Sequence, residues 1–300
     1  ELYREVWLRL NTVLPRCLWI MTINALLDMN NGSTRNVTIT QENVLVDPLQ
    51  VLRCDNRVFR CGPILKIILR ILEASLAASR SQLSRHLLDK PLLEKSGQLT
   101  SDAEREELKN ALVAAQESAA LQILLEACLE NEEDQSKPEL MWSLREVRSI
   151  ICSFLHQIFI SEPSLAKLVH FQGYPRELLQ VTVQGIPSMH ICLDFIPELL
   201  SQASLEKQIF AVDLVSHLSI QYALPKAMSI ARLCVNTLST LLSVLPSDLR
   251  LELFQPVLKS LVRICIAFPS LLEDITSLLL QLGRICESQV SLGHCWNDTN

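Results

Sequence analysis

The chain has 300 residues, 49% of them hydrophobic but only 5% aromatic, with 7 Gly and 57 Leu. That is enough for one large domain or two ordinary ones around a substantial core, and a leucine-rich, glycine-poor composition favours helix over sheet. Twenty-seven Lys and Arg against 33 Asp and Glu leave a net charge of −6, which excludes the basic excess of a typical duplex-binding domain.

Mean hydropathy is +0.24, high enough to test for a membrane span. The most apolar stretch, from Pro63, is interrupted by Lys66, Arg70 and Glu73, and the stretch after Leu271 by Glu273, Asp274, Gln281 and Arg284. No run reaches the roughly 18 uncharged residues a spanning helix requires, so the expectation is a soluble chain with broad buried faces and no membrane partner. Glu1 in place of Met, with no signal-peptide pattern, reads as an internal segment of a longer protein. Ten cysteines are scattered without framework spacing. Cys152, Cys192, Cys234, Cys265 and Cys286 fall within apolar helical patterns, where free Cys behaves as a small buried hydrophobe. The expectation is reduced and intracellular, with the sequons at Asn31, Asn36 and Asn297 unused.

In chain order, residues 2–29 read as helix interrupted at Pro15, and 30–41 as a polar loop. Asp47-Pro48 opens a short helix to about residue 60. Gly62-Pro63 opens a long one to about Leu88, with Lys66, Arg70, Glu73, Arg80 and Ser84 keeping one face wet. A loop follows near 89–101. Ser101 and Glu104 form a capping box for a helix to about Glu130, an acidic loop at 130–138 ends it, and Ser136 with Glu139 opens the next, to Ile160. Residues 53–95 hold nine bases against four acids, and 96–139 eleven acids against three bases. Those segments are expected either to attract one another or to form a docking surface for other subunits.

From Pro163 onward, prolines punctuate helices of ten to twenty residues with very short connections. Cys192, Phe195, Ile196, Leu199 and Leu200 share one stripe, with Asp194, Glu198 and Ser201 opposite. In residues 205–221 apolar side chains cover most of the circumference, leaving Glu206, Asp213 and His217 on a narrow polar edge. Such a helix needs a hairpin partner and further helices besides. Wet ridges recur at Ser229, Arg232, Asn236, Ser239 and Ser243, at Lys259, Ser260 and Arg263 in a helix over 256–268, and at Glu273, Ser277, Gln281 and Arg284 in one over 270–287. The expected fold is all-α: an α-solenoid of irregular HEAT/ARM-like antiparallel pairs, with a compact irregular bundle as the alternative. The expected organisation is a long-helix region over 1–160, helical repeats over 161–290 and a disordered tail over 291–300.

Chemistry is sparse. His190 and Cys192 are two apart, and Cys286, His294 and Cys295 lie close in sequence, but no paired short ligand loops or HExxH motif accompany them, so neither metal nor cofactor is expected. Gly173 and Gly185 sit in turns without phosphate-loop spacing, and no nucleophile, base and orienting group are marked out. The chain reads as a non-enzyme whose surface is its function. Candidate docking residues are Lys66, Arg70, Arg80, Arg85, Arg232, Asn236, Lys259, Arg263 and Arg284. A basic stripe without aromatic interleaving makes no case for direct contact with nucleic acid.

The long run from Phe171 to Pro246, beginning FQGYPRELLQVTVQGIPSMHICLDFIPELLSQ, resembles the Integrator complex subunit 2 family, and the likeness extends in both directions. What the resemblance implies is a helical backbone piece of Integrator, a nuclear assembly that associates with RNA polymerase II, cleaves the 3′ ends of small nuclear RNAs and attenuates transcription. It further implies contacts with other scaffold subunits such as subunits 1 and 7, an indirect link to a phosphatase module, and no catalytic motif to carry over. The competing expectation is another intracellular α-solenoid, an adaptor or a transport or coat protein that binds cargo.

Overall fold

The computed structural model describes residues 49, 52, 59–89 and 102–297, and among them every regular element is helical. The chain divides into two compact units, Glu1–Val169 and His170–Asn300.

In the first unit, α1 (Gly62–Asp89), α2 (Asp102–Glu126) and α4 (Pro138–Ser161) pack against one another. Leu65, Ile68, Leu69, Leu72 and Leu76 form the buried stripe of α1, and Leu144, Val147, Ile151, Leu155 and Phe159 that of α4, the spacing of one helical face. Lys66, Arg70, Glu73 and Arg80 are exposed on α1 as expected. The basic and acidic segments do attract one another: Arg80 pairs with Glu117, and Arg60 donates to Asp134 at 2.8 Å.

The same pairs revise the boundaries. Helix α2 ends at Glu126, not Glu130, and the acidic segment is not all loop, since Glu132–Ser136 form a short helix, α3. Arg60 Nη2 donates to Leu129 O, Arg148 Nε donates to Cys128 O, and the backbone N–H of Asn131 donates to Asp134. The two arginine bonds take over carbonyls that a longer α2 would have satisfied, and the third caps the start of α3. Ser136 ends α3, and Lys137 precedes α4 in the capping position, with Pro138 in the first turn. The cap expected at Ser101 and the elements expected within 1–48 lie outside the described residues. Helix α5 (Pro163–Gln172) carries the chain across the boundary.

The second unit begins with a 3₁₀ turn at Arg176–Leu178 and α6 (Leu179–Gly185). After the 3₁₀ segment Pro187–Asp194 come α7 (Ile196–Leu200), α8 (Leu205–Gln221), α9 (Pro225–Val244), α10 (Ser247–Ala267) and α11 (Leu272–Asn297). Helices α7, α9 and α11 stack in one row, while α8 and α10 stack in the other and α8 also packs on α6, α7 and α9. This two-row stacking fits an α-solenoid.

The stripe from Cys192 to Leu200 is buried as expected but is not one helix. Pro197 has no N–H to donate and would crowd the carbonyl four residues back, so the chain breaks at Phe195 and restarts with the proline in the first turn. Pro256, by contrast, does not begin a helix: α10 starts at Ser247 and contains it. Helix α11 continues to Asn297, through most of the stretch expected as tail. Helix α9 is long and apolar enough to cross a membrane by length and composition, although Ala227, Ile230, Ala231, Cys234, Val235, Leu238 and Leu242 are buried along one face of it. Ser229, Arg232, Asn236, Thr240 and Ser243 are exposed on its other side.

Candidate functional site

Asp213 is the centre of the most polar place in the second unit. It sits on α8, the helix buried around most of its circumference, where apolar neighbours require nearly every other turn to be dry. The sequence assigns Asp213 to a wet edge. It is instead 9% exposed, because that edge faces α10 rather than solvent. Its Oδ1 accepts from Arg263 Nη1 at 2.7 Å and from Ser260 Oγ at 2.9 Å, both on α10, and Arg176 Nη1 stands 4.0 Å from Oδ2. Ser260, expected on a wet ridge, is therefore buried at 1% exposure. Ser216 Oγ donates to Asp213 O, and Arg263 Nη1 also reaches Ser216 Oγ at 3.2 Å.

His217, one turn after Asp213, has Nε2 3.8 Å from Oδ1. Burial and the Arg263 guanidinium hold its imidazole below the ordinary value, and the Asp213 carboxylate only partly offsets them. Beyond these groups an open hollow of about 640 Å³ is lined by Arg176, Glu177, Gln180, Asp213, His217, Gln255, Pro256, Lys259 and Arg263. Three cations face two carboxylates there, and Arg263 is committed to Asp213. Charge recognition of an ionic group is what this arrangement can do; no Ser, Thr, Cys or Tyr lies among the lining residues.

A buried polar cluster lies at the start of the same unit. Tyr174 Oη is 3.2 Å from His170 Nε2 and 3.1 Å from Thr182 Oγ1, and Thr182 donates onward to Leu179 O. The Cys192 thiol, 3.6 Å from the same His170 nitrogen, is fully buried, and burial pushes its pKa far up. A thiol so far from ionisation is a poor nucleophile. His190 is exposed and bonds Pro187 O, so it and Cys192 do not converge. Among the described residues no three His, Cys, Asp or Glu side chains are grouped to hold a metal. The thiols differ more than expected: Cys152, Cys192 and Cys234 are buried, Cys265 is half-buried and Cys286 is exposed, and each is free.

The expected docking residues are dispersed. Lys66 and Arg70 are exposed on α1; Arg80 is half exposed but paired with Glu117; the side chain of Arg85 lies outside the described residues. In the second unit Arg232 and Asn236 are exposed on α9, Arg284 on α11, and only Lys259 and Arg263 meet in one place, the hollow beside Asp213. Sequence reasoning missed Arg176 and Asp213 as its other members. The available signal was a carboxylate in the middle of a helix whose other central residues are almost all apolar, which requires a buried partner.

The family model described as Integrator complex subunit 2 matches residues 1–291. Integrator complex subunit 2 of Mus musculus is 50% identical over 96% of this chain and 27% of its own length. That of Drosophila melanogaster is 43% identical over 98% of this chain and 26% of its own, and a Dictyostelium discoideum homolog is 39% identical over 81% and 19%. The chain thus spans about a quarter or less of the relatives it matches. It belongs to the Integrator complex subunit 2 family.

Proposed function

We propose that this chain is a non-catalytic helical scaffold segment of the nuclear Integrator complex. Through protein–protein contacts it supports 3′-end processing of small nuclear RNA and regulation of RNA polymerase II transcription. The observation that carries the reading is family membership across residues 1–291. The stacked helices add to it, since their buried faces are spent on neighbours while charged and apolar side chains stand exposed on their outer faces. Its direct partners are other scaffold subunits, such as subunits 1 and 7; the polymerase and a phosphatase module are reached through them. Lys66 and Arg70 on α1, Arg232 and Asn236 on α9, Lys259 and Arg263 on α10 and Arg284 on α11 lie on the docking surfaces, where charge sets register more than affinity.

Cross-linking mass spectrometry on the full-length protein purified from nuclear extract tests this. Lysine cross-links from Lys66, Lys226 or Lys259 to other Integrator subunits are the expected result. Recovery of transport or coat factors without Integrator subunits overturns it.

A further inference from the structure

The outer face of α10 breaks the rule that its neighbour obeys. Where α9 shows solvent a ridge of Ser229, Arg232, Asn236, Thr240 and Ser243, with only Leu233 and Val244 of its large apolar side chains exposed beside it, α10 shows Leu251 at 63% exposure, Leu258 at 42%, Val262 at 57% and Ile266 at 68%. Their spacing of seven, four and four places them within an arc of about 80°, and over these residues the ridge is about 22 Å long. A capped solenoid face is polar. A straight apolar ridge of that length is the surface a second helix packs against.

The charges beside the ridge say which helix. Lys259 and Arg263 occupy its flank and lead into the hollow, which Gln255, an exposed polar residue within the ridge itself, also lines and whose far wall carries Arg176. Arg263 is committed to Asp213, and Arg176 stands 4.0 Å from the other Asp213 oxygen but keeps 42% of its side chain exposed, while Lys259 is exposed and makes no ion pair among the described residues. Glu177 is the remaining acid of the hollow, and Glu252 lies on the same flank two turns before Lys259, so the cationic part is confined to the C-terminal half of α10.

We propose that this face seats an amphipathic helix of a partner protein, its apolar stripe on Leu251, Leu258, Val262 and Ile266 and its carboxylates toward Lys259 and Arg176. The inference rests on the reading of the chain as a docking scaffold and deepens it by naming the surface and the chemistry of its occupant. A flank that presents Asp213 and Glu177 as well as cations favours carboxylates placed one at a time over a nucleic-acid backbone.

The probe is a pair of labelled synthetic peptides, identical leucine-striped helices that carry either two glutamates or two lysines on one flank. Binding to the full chain is followed by fluorescence anisotropy. The glutamate peptide is expected to bind at least tenfold tighter at low salt, with the preference shrinking as salt rises. Lys259→Glu is expected to erase the preference, and the double variant Val262→Asp, Ile266→Asp to weaken both peptides at least tenfold. The altered residues are exposed, so helicity by circular dichroism is expected to stay unchanged. Equal binding of the two peptides, no binding of either, or indifference to the double variant overturns the inference. So does self-association in sedimentation that the double variant abolishes, which would give the face to a second copy of the chain. In parallel, the wild-type and double-variant full-length proteins are purified from nuclear extract. A wild-type protein without Integrator subunits overturns the scaffold reading, whereas a double variant that keeps every wild-type contact overturns this inference alone.

Discussion

Asp213→Ala removes one carboxylate and disturbs two α10 groups at once. Ser260, at 1% exposure, loses its acceptor, and a buried hydroxyl left without a partner costs about 1–3 kcal/mol. Arg263 loses the partner 2.7 Å away, but its side chain is 33% exposed and turns partly to water, which discounts that loss. Together these give about 3 kcal/mol, the lower end of the cost of breaking a buried ion pair. Asp213→Asn keeps an acceptor for Ser260 and Arg263 and is expected to cost about half as much. Native-state hydrogen exchange read by mass spectrometry reports the stability of α8 and α10 directly, without requiring the two units to unfold together. Exchange there is expected to accelerate about 100-fold in Asp213→Ala and less than twofold in Asp274→Ala, an exposed carboxylate on α11. If the two alanine variants accelerate equally, Asp213 is not what ties α10 to α8, and the site built on it dissolves.

Four further outcomes follow from the same geometry. His217 has an imidazole pKa below its ordinary 6.5, so the unfolded chain binds the proton more tightly; stability of α8–α10 is expected to fall as pH drops below about 6.5, and His217→Gln to flatten that slope in pH-resolved hydrogen exchange. Gly173 turns the chain at φ +83, where a Cβ finds open space but the backbone strains, so Gly173→Ala is expected to lower stability by about 1–2 kcal/mol in a denaturant titration. Burial raises Cys152 to about 11 and Cys128 to about 12, so iodoacetamide at pH 8 is expected to label Cys286 before either and to spare both until denaturant is added, as peptide mapping would show. Arg80→Ala strands the carboxylate of Glu117, which is 4% exposed, and is expected to accelerate exchange in α2; Glu117→Gln in the same background should recover most of the loss.

What the sequence made legible was the part governed by period and punctuation. The 3.6-residue repeat of Leu144, Val147, Ile151 and Leu155 exists before any folding, and so does the opening of α1 at Gly62-Pro63. What stayed hidden depended on distant partners. Asn131 and Asp134 carry the local capping signal of α3, but nothing near Asp134 says that Arg60 will reach it from 74 positions away. Pro197 and Pro256 look alike in sequence, yet one stands at a helix start and the other nine residues into α10, because the flanking apolar faces decide which way the surrounding turns pack. The hollow beside Asp213 is the extreme case: Lys259 and Arg263 share a helix ridge, but Arg176 lies more than eighty positions before them, and no spacing rule joins it to them.

That hollow also explains why so apolar a unit carries a buried charge. The facing surfaces of α8 and α10 are largely aliphatic, and apolar burial is non-directional, so it favours contact without singling out one partner atom for another. Buried polar groups do not tolerate a slip, because a displaced α10 would leave Asp213 and Ser260 unpaired. Burial supplies most of the stability, and the Asp213–Ser260–Arg263 contacts supply the register. Register is what a scaffold needs, since it sets the separation of Arg176 from Lys259 and the direction of the ridge running to Ile266. Freed from Asp213, α10 would remain helical and packed yet present those groups at the wrong spacing. An Asp213→Asn chain that folds but binds the glutamate peptide no better than the lysine peptide would be the signature of that loss.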